Sequence, residues 1–234
     1  MRFVRIVFIC FLLVVFLGYE GGTVLAMNME FSTVPISPER SKSILENINL
    51  ILLREGPDKQ TISCFDVNEK GLIAIGCKAS STRKTVCIYT NTGDFLYGYS
   101  FVCDGSFGVE LNGDIVNIYL VRGNIAISVD PDGNVLQVLE ILDTTQNNDY
   151  WNNFVYLTKR KVGNTTYTIR NDIGILGMFA TSYSQLTVTN PSGETHVVYD
   201  VNSTQMINMI ISVIVIALLF ILILVAIIRG IKKK

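Results

Sequence analysis

The sequence has one histidine, His196, one tryptophan, Trp151, and five prolines among 234 residues. A single imidazole and the lack of any Cys-x-x-Cys pair leave no ligand set for a structural zinc site. There is no Gly-x-Ser-x-Gly elbow, and Gly105-Ser106-Phe107-Gly108 is followed by no Lys-Ser or Lys-Thr, so serine-hydrolase and phosphate-loop chemistry lack their scaffolds. Basic residues are scarce where a nucleic-acid site would need them. From Met27 to Gln205 there are 13 Lys plus Arg against 19 Asp plus Glu, a net of −6. That balance argues against nucleic acid as a partner. Of five cysteines, Cys10 lies in an N-terminal apolar run. The others, Cys64, Cys77, Cys87 and Cys103, allow three pairings or none. His196 follows Glu194 on one strand face, the setting of a satisfied surface imidazole. No cofactor and no enzymatic reaction is expected.

What the chain has in quantity is apolar sequence at its ends. Met206 to Ile228 carries no charge, and its 23 residues at about 1.5 Å each reach across a hydrocarbon core roughly 30 Å thick. A transmembrane helix is expected over residues 204–229. Arg229, Lys232, Lys233 and Lys234 surround its end, and a basic tail at 230–234 resists translocation, which puts it in the cytoplasm. At the other end Arg2 and Arg5 precede the apolar run Ile6 to Leu17 and the small triplet Val24-Leu25-Ala26. Residues 1–26 therefore read as a signal peptide, or as an uncleaved short anchor. Either way the middle of a single-pass protein lies outside the cytoplasm, and the bilayer is its first partner.

Residues 27–60 open the middle. Ser37 and Pro38 start a helical pattern with Ile44, Leu45, Ile48 and Ile51 or Leu52 on one face, which predicts an amphipathic helix from Glu39 to Leu53. A strand over Asn49–Leu53 before the Gly56-Pro57-Asp58 turn is the competing reading. From Thr61 the pattern becomes short β-runs punctuated by glycine. Units begin at Ile62, Phe107 and Tyr167, and the third is read as Tyr167–Arg170, Ile175–Ala180, Leu186–Val188 and Thr195–Val201. Gly71 and Gly93, Gly113 and Gly133, and Gly174 and Gly193 stand 22, 20 and 19 residues apart. Gly93, Gly133 and Gly193 each close a polar turn that requires positive φ. Inner strands such as Ile-Val-Asn-Ile-Tyr-Leu are apolar on both faces, as strands sandwiched between sheets are.

Over 61–203 this pattern resembles the four-stranded repeat of β-propellers, which implies an all-β fold of three propeller-like units but carries no activity. Propellers close with about four to eight blades. Three units therefore require either a cover from the N-terminal segment or closure by a second copy in a homodimer.

Asp143 to Gly163 interrupts the rhythm as an insertion. Tyr150, Trp151, Asn152 and Asn153 combine aromatic faces with amide donors and acceptors, a pairing suited to sugars or peptide backbone, and they form the candidate binding site. The competing reading makes Trp151 and Phe154 a plug between units. Lys159-Arg160-Lys161 reads as a solvated hairpin tip, and Asp130-Pro131-Asp132-Gly133 as a turn and not a calcium loop. The expected function is a membrane-anchored binding or scaffolding module with a surface glycan or protein ligand. An accessory or sensor subunit of a larger membrane complex is the alternative, ahead of a carboxylate-dependent hydrolase.

Overall fold

Short apolar strands joined by tight glycine turns pair with their sequence neighbours, and in the computed structural model they form three antiparallel sheets, none closed on itself. The structure describes residues 31–231 except 173, 175, 176, 178 and 179, and side chains as far as residue 223. The first meander is β3 (Ile62–Val67), β4 (Ile73–Lys78), β5 (Arg83–Tyr89) and β6 (Phe95–Val102). The second is β7 (Phe107–Asn112), β8 (Ile115–Leu120), β9 (Ile125–Val129) and β10 (Val135–Ile141). Both follow the units expected from the sequence.

The third differs. It consists of β11 (Lys159–Val162), β12 (Thr165–Arg170), β13 (Gln185–Thr189) and β14 (Thr195–Asp200). Lys159-Arg160-Lys161, expected at a solvated tip inside the insertion, is its first strand. The sheet has four strands without the one expected over 175–180, a stretch that lies mostly outside the described residues. Gly163, at φ 58°, makes the β11–β12 turn and holds the place expected of Gly174. Alternation explains the strand: Lys159 and Lys161 turn outward, while Arg160 points inward.

The first sheet lies between the other two. One of its faces, with Cys64, Ala74, Val86 and Tyr99, packs on Val109, Val116 and Ile118 of the second. The other face, with Phe65, Ile73 and Ile75, packs on Tyr167, Leu186 and Val188 of the third. This double burial is why the inner strands do not alternate.

The segment before Thr61 joins the outer edges of the first pair. β1 (Thr33–Pro35) adds to β10, and β2 (Ile51–Leu53) adds to β6. Between them runs α1 (Pro38–Ile48), started by the Ser37 hydroxyl, which accepts from Arg40 N–H. It ends at Asn49, whose left-handed φ of 45° turns the chain away. The helix expected to reach Leu53 therefore stops earlier, and Ile51–Leu53 is strand. Ile44, Leu45 and Ile48 pack into the core between the sheets.

In a four-stranded meander the first and third turns fall at the same end. Gly71, Gly93, Gly113, Gly133, Gly163 and Gly193 all have positive φ, and all six turns lie at the end from which the last helix does not depart. That helix, α3 (Asn202–Ile231), follows β14 after one residue. At Gly93, φ is 93° and an added Cβ would come 2.7 Å from the Val198 carbonyl oxygen of the third sheet. Gly93→Ala should therefore cost about 1 kcal/mol or more in denaturant unfolding. Gly193→Ala, at similar φ but in open space, should cost less.

Candidate functional site

The connection from β10 to β11 is helical, and the Thr144 hydroxyl caps it by accepting from Asn147 N–H at 3.1 Å. Helix α2 (Thr145–Tyr150) runs into one π-helical turn, Trp151–Val155. Asn147 is buried and fixes this segment to the N-terminal strand: its amide donates to Ser32 O and Leu142 O and accepts from Ser32 N–H.

The widened turn drives Trp151 and Val155 onto the outer face of the second sheet. There Gly108 leaves the space: an added Cβ would overlap Val155 and stand 3.1 Å from the Trp151 ring. Trp151 is 9% exposed. Its ring lies 4.8 Å from that of Phe31 and 5.8 Å from that of Tyr119.

The four candidate residues therefore divide. Trp151 is packed into the domain. Asn152 and Asn153 are exposed, and the Asn152 amide donates to Asn148 O. Tyr150 is half-buried, with its ring stacked on Phe154 at 5.0 Å and 17°. Phe154 is not part of the plug: it is 46% exposed. Gln146, Asp149 and Asn153 surround the Tyr150–Phe154 pair and make an open hollow with a flat aromatic floor. The signal in the sequence was the four-residue spacing of Tyr150 and Phe154, which puts both on one helical face.

Tyr150 also reaches inward, and its hydroxyl donates to Glu110 Oε1 at 2.5 Å. Tyr119 donates to the other oxygen, also at 2.5 Å. Glu110 stands on β7, near Asp66 on β3 and Arg160 on β11, so the first strand of each sheet supplies one charge to a common interior. Arg160 Nε lies 3.2 Å from Asp66 Oδ1 without hydrogen-bond alignment. Its other end donates to Phe154 O at 2.7 Å, and Asp66 accepts from Leu111 N–H at 2.7 Å. Burial raises the pKa of both acids. Arg160 opposes this at Asp66, and the two tyrosine hydroxyls oppose it at Glu110. Both carboxylates are thus engaged by internal partners, and neither lines the hollow.

The remaining candidates are plain in their geometry. Gly93, Gly133 and Gly193 occupy turns at φ 93°, 87° and 84°. Asp130 accepts from Asp132 N–H and from the backbone and side chain of Asn134. Those bonds, the Asn134 amide first, hold its carboxyl below the usual range. His196 is exposed. Cys64, Cys77, Cys87 and Cys103 are buried free thiols, and burial pushes Cys77 and Cys87 up to about 12. Among the described residues no group of His, Cys, Asp and Glu is placed to hold a metal ion.

Helix α3 is long and apolar enough to cross a membrane, and among the described residues nothing covers its outward side chains. Single-pass anchoring fits this. Arg229 lies within α3, but its side chain and Lys232, Lys233 and Lys234 fall outside the described residues. No protein-family model and no curated protein matches the chain.

Proposed function

We propose that the chain is a membrane-anchored recognition module, not an enzyme. α3 holds a propeller-like β-domain outside the cytoplasm, where the hollow beside Phe154 takes the ring of a surface glycan. The carrying observation is the Tyr150–Phe154 pair. The open face of this stacked pair is apolar surface that a ligand ring can cover, and it is mounted on a turn that Trp151 and Asn147 hold in place. A flat aromatic floor with Asn153, Asp149 and Gln146 at its rim pairs an apolar ring face with amide and carboxylate partners for hydroxyls. Rigid mounting keeps the cost of ordering the site on binding low. The charge at the α3 end supports the orientation, since Lys and Arg there favour the cytoplasmic side.

The test uses the full chain in lipid nanodiscs against an array of surface glycans. Phe154→Ser should abolish capture while shifting stability by no more than about 0.5 kcal/mol, as surface changes do. Capture unchanged by Phe154→Ser would remove the site. Protease added to intact cells should digest the β-domain. Digestion only after lysis would reverse the topology.

A further inference from the structure

The end of the β-domain nearest α3 carries a cavity of about 570 Å³ between the β4–β5 connection, the β6–β7 connection and residues Thr181–Tyr183. Ser63, Ser81, Ser106 and Ser182 give it a hydroxyl lining, and Lys78 and Lys84 supply its charge. The two lysines stand directly opposite each other in the β4–β5 register. Like charges so placed destabilise a sheet. Lys84 is 2% exposed, and its ammonium donates to Ser81 O at 3.0 Å, leaving two further N–H donors to satisfy. Among the described residues neither lysine forms an ion pair. Burial, then the charge of Lys78, lowers the pKa of Lys84. The carboxylate of Asp104 opposes this from nearby but, among the described residues, is not paired with Lys84. A buried ammonium without a paired counter-charge is costly to keep, and an anion in the cavity would relieve both the repulsion and the missing bonds.

This cavity shares Thr61, Thr181 and Ser182 with a groove that descends α3 past Gln205, Met209, Ser212 and Ile216. From Gln205 to Ile216 the helix rises about 16 Å, close to the roughly 15 Å of one hydrocarbon leaflet. At the top of the groove Gln205 is 4% exposed. Its Nε2 donates to Ser182 O at 2.9 Å, while its Oε1 has no partner. A hydroxyl at headgroup depth would satisfy that acceptor. We propose that the Lys78–Lys84 cavity binds the phosphate of an anionic phospholipid whose acyl chain lies in the groove along α3. The continuity of cavity and groove favours a lipid over free phosphate, because only a lipid fills both. The site shares no residue with the hollow beside Phe154, so either can fail alone.

The full chain in detergent would be titrated separately with phosphatidylglycerol, phosphatidylcholine and inorganic phosphate, read by native mass spectrometry and thermal shift. Phosphatidylglycerol should bind and raise the melting temperature, phosphatidylcholine should bind more weakly, and inorganic phosphate should not displace the lipid. Lys84→Met should weaken phosphatidylglycerol about tenfold or more without lowering the lipid-free melting temperature, since an apolar chain of similar length replaces a buried charge. Lys78→Gln, at an exposed position, should weaken it in the same direction and decides the matter if Lys84→Met folds poorly. Equal binding of both lipids by wild type and variants would overturn the proposal. So would inorganic phosphate that binds as tightly as phosphatidylglycerol and displaces it.

Discussion

Trp151→Ala should lower the stability of the β-domain by about 3 to 5 kcal/mol, the range for removing a large buried aromatic and leaving a cavity. Little can collapse into the space. Phe31 and Tyr119 are themselves packed against the ring, and Gly108 offers no side chain to move in. The loss should spread to the hollow, because the turn that seats Trp151 also carries Phe154. Fluorescence checks the premise, since Trp151 is the chain's single tryptophan: emission should be blue-shifted and resistant to aqueous quenchers. A red, quenchable signal together with unchanged melting would show the ring facing solvent.

Arg160→Met should cost about as much, roughly 3 to 5 kcal/mol, because removing one member of a buried pair strands the other charge. Asp66, 8% exposed, would keep only backbone N–H partners, those of Leu111 and Val67. Burial already raises its pKa, and Arg160 opposes that rise, so without Arg160 it rises further. A carboxyl whose folded pKa exceeds its unfolded value binds its proton more tightly in the native state. Its contribution to stability is then full below the unfolded value and lost as pH rises through the folded one. The melting temperature of Arg160→Met should accordingly recover as pH falls from neutral toward the ordinary carboxylate value of about 4, opposite to ordinary acid destabilisation. Asp66→Asn in the same background should recover most of the loss at neutral pH. A variant equally unstable across that range would mean that Arg160 acts by packing alone.

The strands of the first two sheets were legible because each is a β-branched or aromatic run, and the first and third hairpins of each sheet turn on a glycine at positive φ. The third was legible only from β12 onward. Lys159-Arg160-Lys161 has the composition of a surface loop, and nothing local shows that Arg160 has partners at positions 66 and 154. The charged interior was hidden for the same reason. Asp66, Glu110 and Arg160 lie more than forty residues apart in sequence, and the hint was a charge inside an apolar first strand, as in Phe65-Asp66-Val67 and Val109-Glu110-Leu111. The split between Tyr150 and Trp151, one ring half-shown and the next packed, follows from the π-turn, which composition does not announce. At the N-terminal segment both readings held in part: the helix forms, and Asn49 ends it in time for Ile51–Leu53 to pair as an edge strand.

Only Val201 separates β14 from α3, and three contacts stiffen the joint. Asn202 N–H donates to Asp200, Ser184 Oγ donates to Asn202 Oδ1, and Gln205 donates to Ser182 O. β14 is also the edge of its sheet, paired to β13 alone. A pull between the bilayer and the glycine-turn end would therefore run lengthwise along β14. Its hydrogen bonds to β13 would share the load in shear, where they must give way together, instead of being unzipped one at a time. Resistance to such a pull is set by the height of the unfolding barrier and not by the equilibrium stability. Whatever grips the far end would meet a short, stiff tether, with β14 as the strand through which tension enters the membrane.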